Sequence, residues 1–155
     1  MIFLTLYDWL LFAHVLAAMV WVGGAVVLMA LSIITLRGRD PQGVARFVRT
    51  LPVLGPAVLA PATIGVVGFG VWLVLDSDAW EFGQTWIVVA LALFAVAFLV
   101  GAAFQSRTVL GAQRAVERGD DAEALRQLGL WVRGYALILT LLVVIAWDMV
   151  FKPGL

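Results

Sequence analysis

Four long apolar runs separated by short polar links set the pattern of this chain. The runs cover residues 7–36, 52–75, 83–104 and 131–151. Each is long enough to cross a hydrocarbon core of ~30 Å, which takes roughly 20 helical residues. In lipid each must be a helix, because only a helix satisfies its backbone within one segment. The third helix is expected to run on beyond the bilayer. Residues 112–118 have helical composition, Gly119 suits a C-terminal stop, and Asp120 or Asp121 suits the N-cap of the next helix. The predicted fold is all-α: a single transmembrane domain over 1–155, built as a four-helix bundle. Its helices are expected over about 7–36, 52–75, 83–118 and 121–151, with a helical hairpin between the third and fourth.

The first link is not featureless. Val44, Phe47, Val48 and Leu51 face one way and Arg46 and Arg49 the other, with Pro41 near the start. That spacing describes a short interfacial helix, set against a solvated basic turn as the alternative. The second span carries Pro52, Pro56 and Pro61, then Gly65, Gly68 and Gly70. Pro61, Gly65, Gly68 and Trp72 fall on one stripe, where small residues let helix backbones approach closely. The expectation is a tight bundle, with a gating hinge as the second reading.

Composition moves the chain out of the soluble class. Hydrophobic residues make up 64% and charged ones 13%, and mean hydropathy is +1.07. A soluble domain is nearer half apolar and a quarter charged. There is no cysteine, so disulfides, thiolate metal sites and iron–sulfur clusters are excluded. Zero net charge gives no reason to expect nucleic acid as a partner. The first run lacks a basic leading segment and a small-residue exit, so it is expected to remain as a span rather than be cleaved as a signal peptide.

Charge is distributed by side. The two links that lie on one face hold nine arginines against five carboxylates, a balance of +4. The opposite face holds Lys152 against Asp8, Asp76, Asp78, Glu81 and Asp148, a balance of −4. The positive-inside rule puts both termini outside and the arginine-bearing links, including the hairpin, in the cytoplasm. Trp9, Trp72, Trp80, Trp86 and Trp147 map near the outer face, where an amphipathic ring suits the headgroup level. Trp21 lies at membrane depth and is expected to pack between helices. The alternating charges of the hairpin are expected to form a solvated face that presents arginines to anionic lipid or a partner.

Candidate chemistry centres on His14, the only histidine. It shares a helical stripe with Ala17, Ala18, Trp21, Ala25, Leu28 and Ser32. A histidine inside a span is costly unless partnered, and so is a functional candidate. It lies six residues below Asp8, about 9 Å along a helix. Gln84, Asp76, Asp148 and Met149 are expected at comparable heights. Three readings stand. In the first, His14 is structural and bonds a carbonyl, Gln84 or a carboxylate such as Asp148. In the second it is an axial ligand of haem b, with Met19, Met149, water or His14 of a second copy opposite, and Trp21 alongside. In the third it handles copper or protons with Met19 or Met149. No phosphate loop, dinucleotide fingerprint, zinc-protease helix or nucleophile elbow is present.

The stretch HVLAAMVWVGG, from His14 through Trp21 to Gly24, resembles the first helix of two groups of bacterial membrane proteins. These are the copper-resistance D domain and the protoporphyrinogen-oxidase-like proteins that bind haem. Three further stretches extend the likeness over the whole chain: LGPAVLAPA from Leu54, FGQTWI from Phe82 and WDMVFKPG from Trp147. Together they resemble a bacterial integral membrane family catalogued as domain of unknown function 2269. That resemblance implies four helices and a plasma-membrane location, and no established activity. The haem or copper role is implied only through the more distant relatives. This chain departs from them in its single membrane histidine and in having no lysine except Lys152.

The resulting expectation is a non-enzymatic membrane protein holding haem b or another small ligand around His14, with Trp21 and Met149 as cofactor neighbours. Asp8, Gln84 and Asp148 are its expected polar partners. The alternatives are an accessory or scaffold subunit in which His14 is structural, and a membrane oxidoreductase or copper-handling protein. Expected partners are membrane lipid and either a homodimer or a larger membrane complex. A tag placed after Leu155 is predicted to be reachable from outside an intact cell; reactivity from the cytosol alone contradicts the assigned orientation.

Overall fold

The computed structural model describes residues 5–154. Every regular element among them is helical, and four continuous helices are long and apolar enough to cross a membrane. The first is α1 (Leu6–Gly38). Thr5 and Asp8 cap it reciprocally, and Arg39 ends it in the left-handed conformation (φ 49°). The second begins at α2 (Pro41–Leu54), passes through a π turn (Gly55–Leu59), and becomes α3 (Ala60–Asp76). The third is α4 (Thr85–Leu99), a second π turn (Val100–Gln105) and α5 (Ser106–Glu117). The fourth is α6 (Asp121–Phe151).

The structure revises this plan first at the link after α1. The amphipathic segment after α1 is a helix, as one of its two readings held. Asp40 caps it, accepting from the backbone N–H groups of Gln42 and Gly43. It is not a separate interfacial helix, however, but runs unbroken into the second span. The prolines of this span lie within the continuous helical run. Pro56 lies in the wide turn, where the looser register accommodates its missing donor and its ring. The hairpin between the third and fourth helices forms from local signals. Gly119 adopts a left-handed φ of 69°, and Asp120 accepts a bond from the Glu123 backbone at 3.0 Å.

Two kinds of packing hold the bundle. At the arginine-bearing end α2, α5 and the start of α6 form a small dense core. Val48, Ala115 and Ala124 are fully buried, and Phe47 meets Trp131 edge to face at 6.4 Å. Further along the spans large side chains such as Ile64 and Val150 point outward, 72% and 74% exposed, as lipid-facing positions should. There α1 packs on α3 through small residues. A Cβ built on Gly65 would lie 3.1 Å from Ala17 Cβ, and one on Gly24 would lie 3.2 Å from Leu59 Cδ2. The stripe Pro61–Gly65–Gly68–Trp72 is therefore not one seam. Gly68 faces open space and Trp72 is half exposed, while Gly65 and Gly70 make the close approaches.

In cross-section the order is α3, α1, α6, α4. Neighbours in that series touch, but no Cα of α3 comes within 8 Å of α4. The bundle is an open arc with a cleft between its second and third spans, and this cleft positions the candidate site.

Candidate functional site

His14 sits half-buried on α1 with its ring laid against α3. Its Nδ1 lies 2.9 Å from the carbonyl oxygen of Val66. A carbonyl only accepts, so Nδ1 carries the proton and donates. Gly70 makes this reach available. A Cβ there would stand 3.0 Å from His14 Cε1 and 3.2 Å from Nδ1. The neutral ring then keeps its Nε2 lone pair for another partner, and no protein group among the described residues takes it.

His14 lines a cavity of about 320 Å³ bounded by α1, α3, α4 and α6. Trp21 and Met149 line the same cavity, so the structure brings together the three side chains singled out as cofactor neighbours. Trp21 packs on Phe94 of α4 at 5.9 Å, fulfilling the expectation that it lies between helices. Met19, by contrast, is 67% exposed and points away.

The polar residues near this end serve other purposes. Asp8 accepts two bonds of 2.8 Å from Thr5 and caps α1. Gln84 donates to the Ala79 carbonyl and accepts from Trp86 Nε1, both at 3.1 Å, bracing the connection before α4. Neither bonds His14, and neither lines the cavity. Asp148 is 1% exposed, with both carboxylate oxygens unpartnered among the described residues, and it too stays off the imidazole. The partner of His14 is instead a helix carbonyl.

A cap over the cavity was not legible in the sequence. Trp80 and Trp86 meet edge to face at 5.3 Å, Trp80 Nε1 donates to the Tyr7 hydroxyl at 3.0 Å, and Lys152 Nζ lies 4.0 Å above the Trp80 ring. The sequence places Trp80 and Trp86 near the outer face by height alone and says nothing of Tyr7. Their convergence depends on the turn between α3 and α4, which no motif announces. Among the described residues Lys152 is the only cation that lines the cavity. Its contact with Trp80 is a cation–π interaction.

The chemistry this arrangement offers is limited and specific. One neutral imidazole nitrogen faces an apolar, aromatic-walled space that a thioether, Met149, and an ammonium, Lys152, also line. Among the described residues no group of three histidine or carboxylate side chains is placed to hold a metal ion. Among the described residues His14 bonds no nucleophile, only the Val66 carbonyl.

Residues 8–153 match a family model described as predicted integral membrane protein (DUF2269). The chain belongs to this family. No curated protein and no solved structure matches it. In this DUF2269 member the seam that holds the histidine can be tested by a pair of substitutions. Gly70→Ala is predicted to push the ring off Val66 and lower unfolding stability by about 1 kcal/mol, the scale of an interhelical bond in a membrane. Gly68→Ala meets nothing and removes a helix-weakening glycine, so it should be neutral or slightly stabilising. Denaturation in detergent checks this, and equal effects of the two substitutions contradict the assigned seam.

Proposed function

We propose that the protein is a non-enzymatic, ligand-holding protein of the bacterial plasma membrane. On this reading both termini lie outside and the arginine-bearing links lie in the cytoplasm. The charge balance of +4 on one face and −4 on the other supports that orientation.

The observation that carries the ligand reading is the geometry of His14. Metal-ligating histidines characteristically donate their second N–H to a carbonyl or carboxylate, which fixes the tautomer and raises the basicity of the ligating nitrogen. The Val66 carbonyl does this here, and the cavity beyond Nε2 is at the lower end of the size range of small-molecule sites. Haem b or another small ligand suits this donor set, and haem b, bulkier than the cavity of about 320 Å³, would extend into the open cleft between α3 and α4. His14 and Met149 are the side chains that would hold its iron, and the Lys152 ammonium would favour an acidic edge group. Bound haem would supply the redox and gas-binding chemistry of an axially ligated iron. The protein's own part is to fix the imidazole tautomer, wall the ligand with aromatic rings and keep water from it with the tryptophan cap.

A second reading keeps His14 as a packing element of an accessory subunit. It is favoured by the same 2.9 Å bond, which joins α1 to α3 whether or not a ligand is present. Copper handling has less support, since Met19 faces away and leaves one imidazole and one thioether.

Titration of the detergent-purified protein with haemin separates these readings. The ligand reading predicts a Soret band that saturates at one equivalent and weakens at least about tenfold in affinity in His14→Ala, or roughly 1.4 kcal/mol. No band in the wild type, together with a loss of stability in His14→Ala, assigns the histidine to packing.

A further inference from the structure

Charge at the arginine-bearing end is sorted by depth. Contacts between the helices fix the levels. Phe47 of α2 meets Trp131 of α6, Gly134 of α6 lies against Phe104 and Gln105, and Gly111 of α5 lies against Gln127. α2 and α6 lead from this end into their spans, and α5 leads out of its own. Counting along the helices from these contacts brings Arg49, Arg107 and Arg133 to one level, within about one helical turn, ~5 Å. Each comes from a different span, and all three side chains are exposed.

No carboxylate shares that level. The nearest along each helix is Asp40, nine residues before Arg49, Glu117, ten after Arg107, and Glu123, ten before Arg133. At 1.5 Å per residue these stand roughly 13–15 Å further from the hydrocarbon. The ion pairs among the described residues are Arg46 with Asp40 and Arg126 with Glu123, and they leave the three untouched. The other six arginines share this end with all five of its carboxylates. The layer next to the lipid tails is therefore purely cationic, and the layer beyond it is mixed.

A second pattern accompanies the first. One turn deeper on the same helix, each of the three arginines is followed by an exposed apolar side chain. Val53 is 66% exposed, Phe104 42% and Leu137 48%. A cation above an apolar side chain, repeated on three spans, matches a charged head above a hydrocarbon chain.

We infer that Arg49, Arg107 and Arg133 form a belt that binds anionic phospholipid in the leaflet on this side, one phosphate to each guanidinium. The planar guanidinium fork pairs with phosphate oxygens through two parallel hydrogen bonds. The acyl chains lie on Val53, Phe104 and Leu137. A soluble phosphate satisfies the cation and leaves those side chains uncovered. A zwitterionic head carries its own ammonium, and no carboxylate at this level receives it, so a head of net negative charge is preferred. Each arginine near an anionic surface favours binding by about fivefold.

Native mass spectrometry of the full chain tests the belt, with equal amounts of phosphatidylglycerol and phosphatidylcholine carrying the same chains. Up to three phosphatidylglycerol adducts are expected, outnumbering phosphatidylcholine at least about fivefold. The triple variant Arg49→Gln, Arg107→Gln, Arg133→Gln should lose that preference. The triple variant Arg39→Gln, Arg114→Gln, Arg118→Gln removes the same charge from the mixed layer and should keep it. If the first variant fails to fold, the three single substitutions carry the test, each expected to remove one phosphatidylglycerol adduct. Equal binding of the two lipids by the wild type overturns the proposal. So does an equal loss in the two triple variants, which reduces the effect to net charge, and so do single variants that keep all three adducts. Displacement by excess soluble glycerol phosphate, which has the charge without the chains, overturns the lipid as occupant.

Discussion

Apolar helices in hydrocarbon gain nothing by hiding from one another, since lipid tails are as apolar as leucine. What joins them is close backbone approach and the few polar groups that must find partners. In this protein the constraint is met along one seam, where α1 lies on α3. Ala17 meets Gly65, and His14 reaches past Gly70 to the Val66 carbonyl. The imidazole is both the most expensive group on α1 to leave unpaired and the one that the glycine admits. The seam therefore sets the tautomer of the histidine, and the tautomer sets what its other nitrogen can do.

The remaining architecture follows from where water is available to drive burial. At the arginine-bearing end the helices extend into amphipathic segments, and there the hydrophobic effect operates normally. Val44, Val48, Leu51, Leu128 and Trp131 collapse into a core with the arginines outside it. That core ties all four helices together at one end, which leaves the spans free to separate elsewhere. With no comparable force between α3 and α4, the arc stays open, and the Trp21–Phe94 pair lines both the His14 cavity and a second chamber of about 820 Å³ nearer the arginine-bearing end. A closed bundle would have buried the same side chains and left no room for a ligand.

Much of this was legible in the sequence because its causes are local. Span length, arginine placement, the Gly119 stop and the Asp120 cap are each written within a few residues. The amphipathic face of α2 was legible as well, but its fusion to the second span was not. The two were read as a link helix and a separate span, whereas they join through a π turn at Gly55–Leu59. The second π turn has no cue of its own, because its residues are ordinary helix formers. His14, Trp21 and Met149 were found as candidates by residue type and height. The acceptor for His14 was missed in detail because a backbone carbonyl has no residue identity to read. Only Gly70, one turn beyond Val66, left a trace, and the stripe that seemed natural ran through Gly68. Asp148 misled for a similar reason. It reads as an interfacial acid near the end of α6, yet helix packing buries it almost completely.

The ligand reading and the packing reading both begin from the same imidazole, so its protonation pattern is the most direct test of the structural claim. The chain has one histidine, so ¹⁵N-histidine labelling gives a spectrum with two assignable ring nitrogens and no overlap. In lipid at neutral pH and without added ligand, the account predicts a protonated, hydrogen-bonded Nδ1 and an unprotonated Nε2. A proton on Nε2 with a bare Nδ1, or a doubly protonated ring, contradicts it.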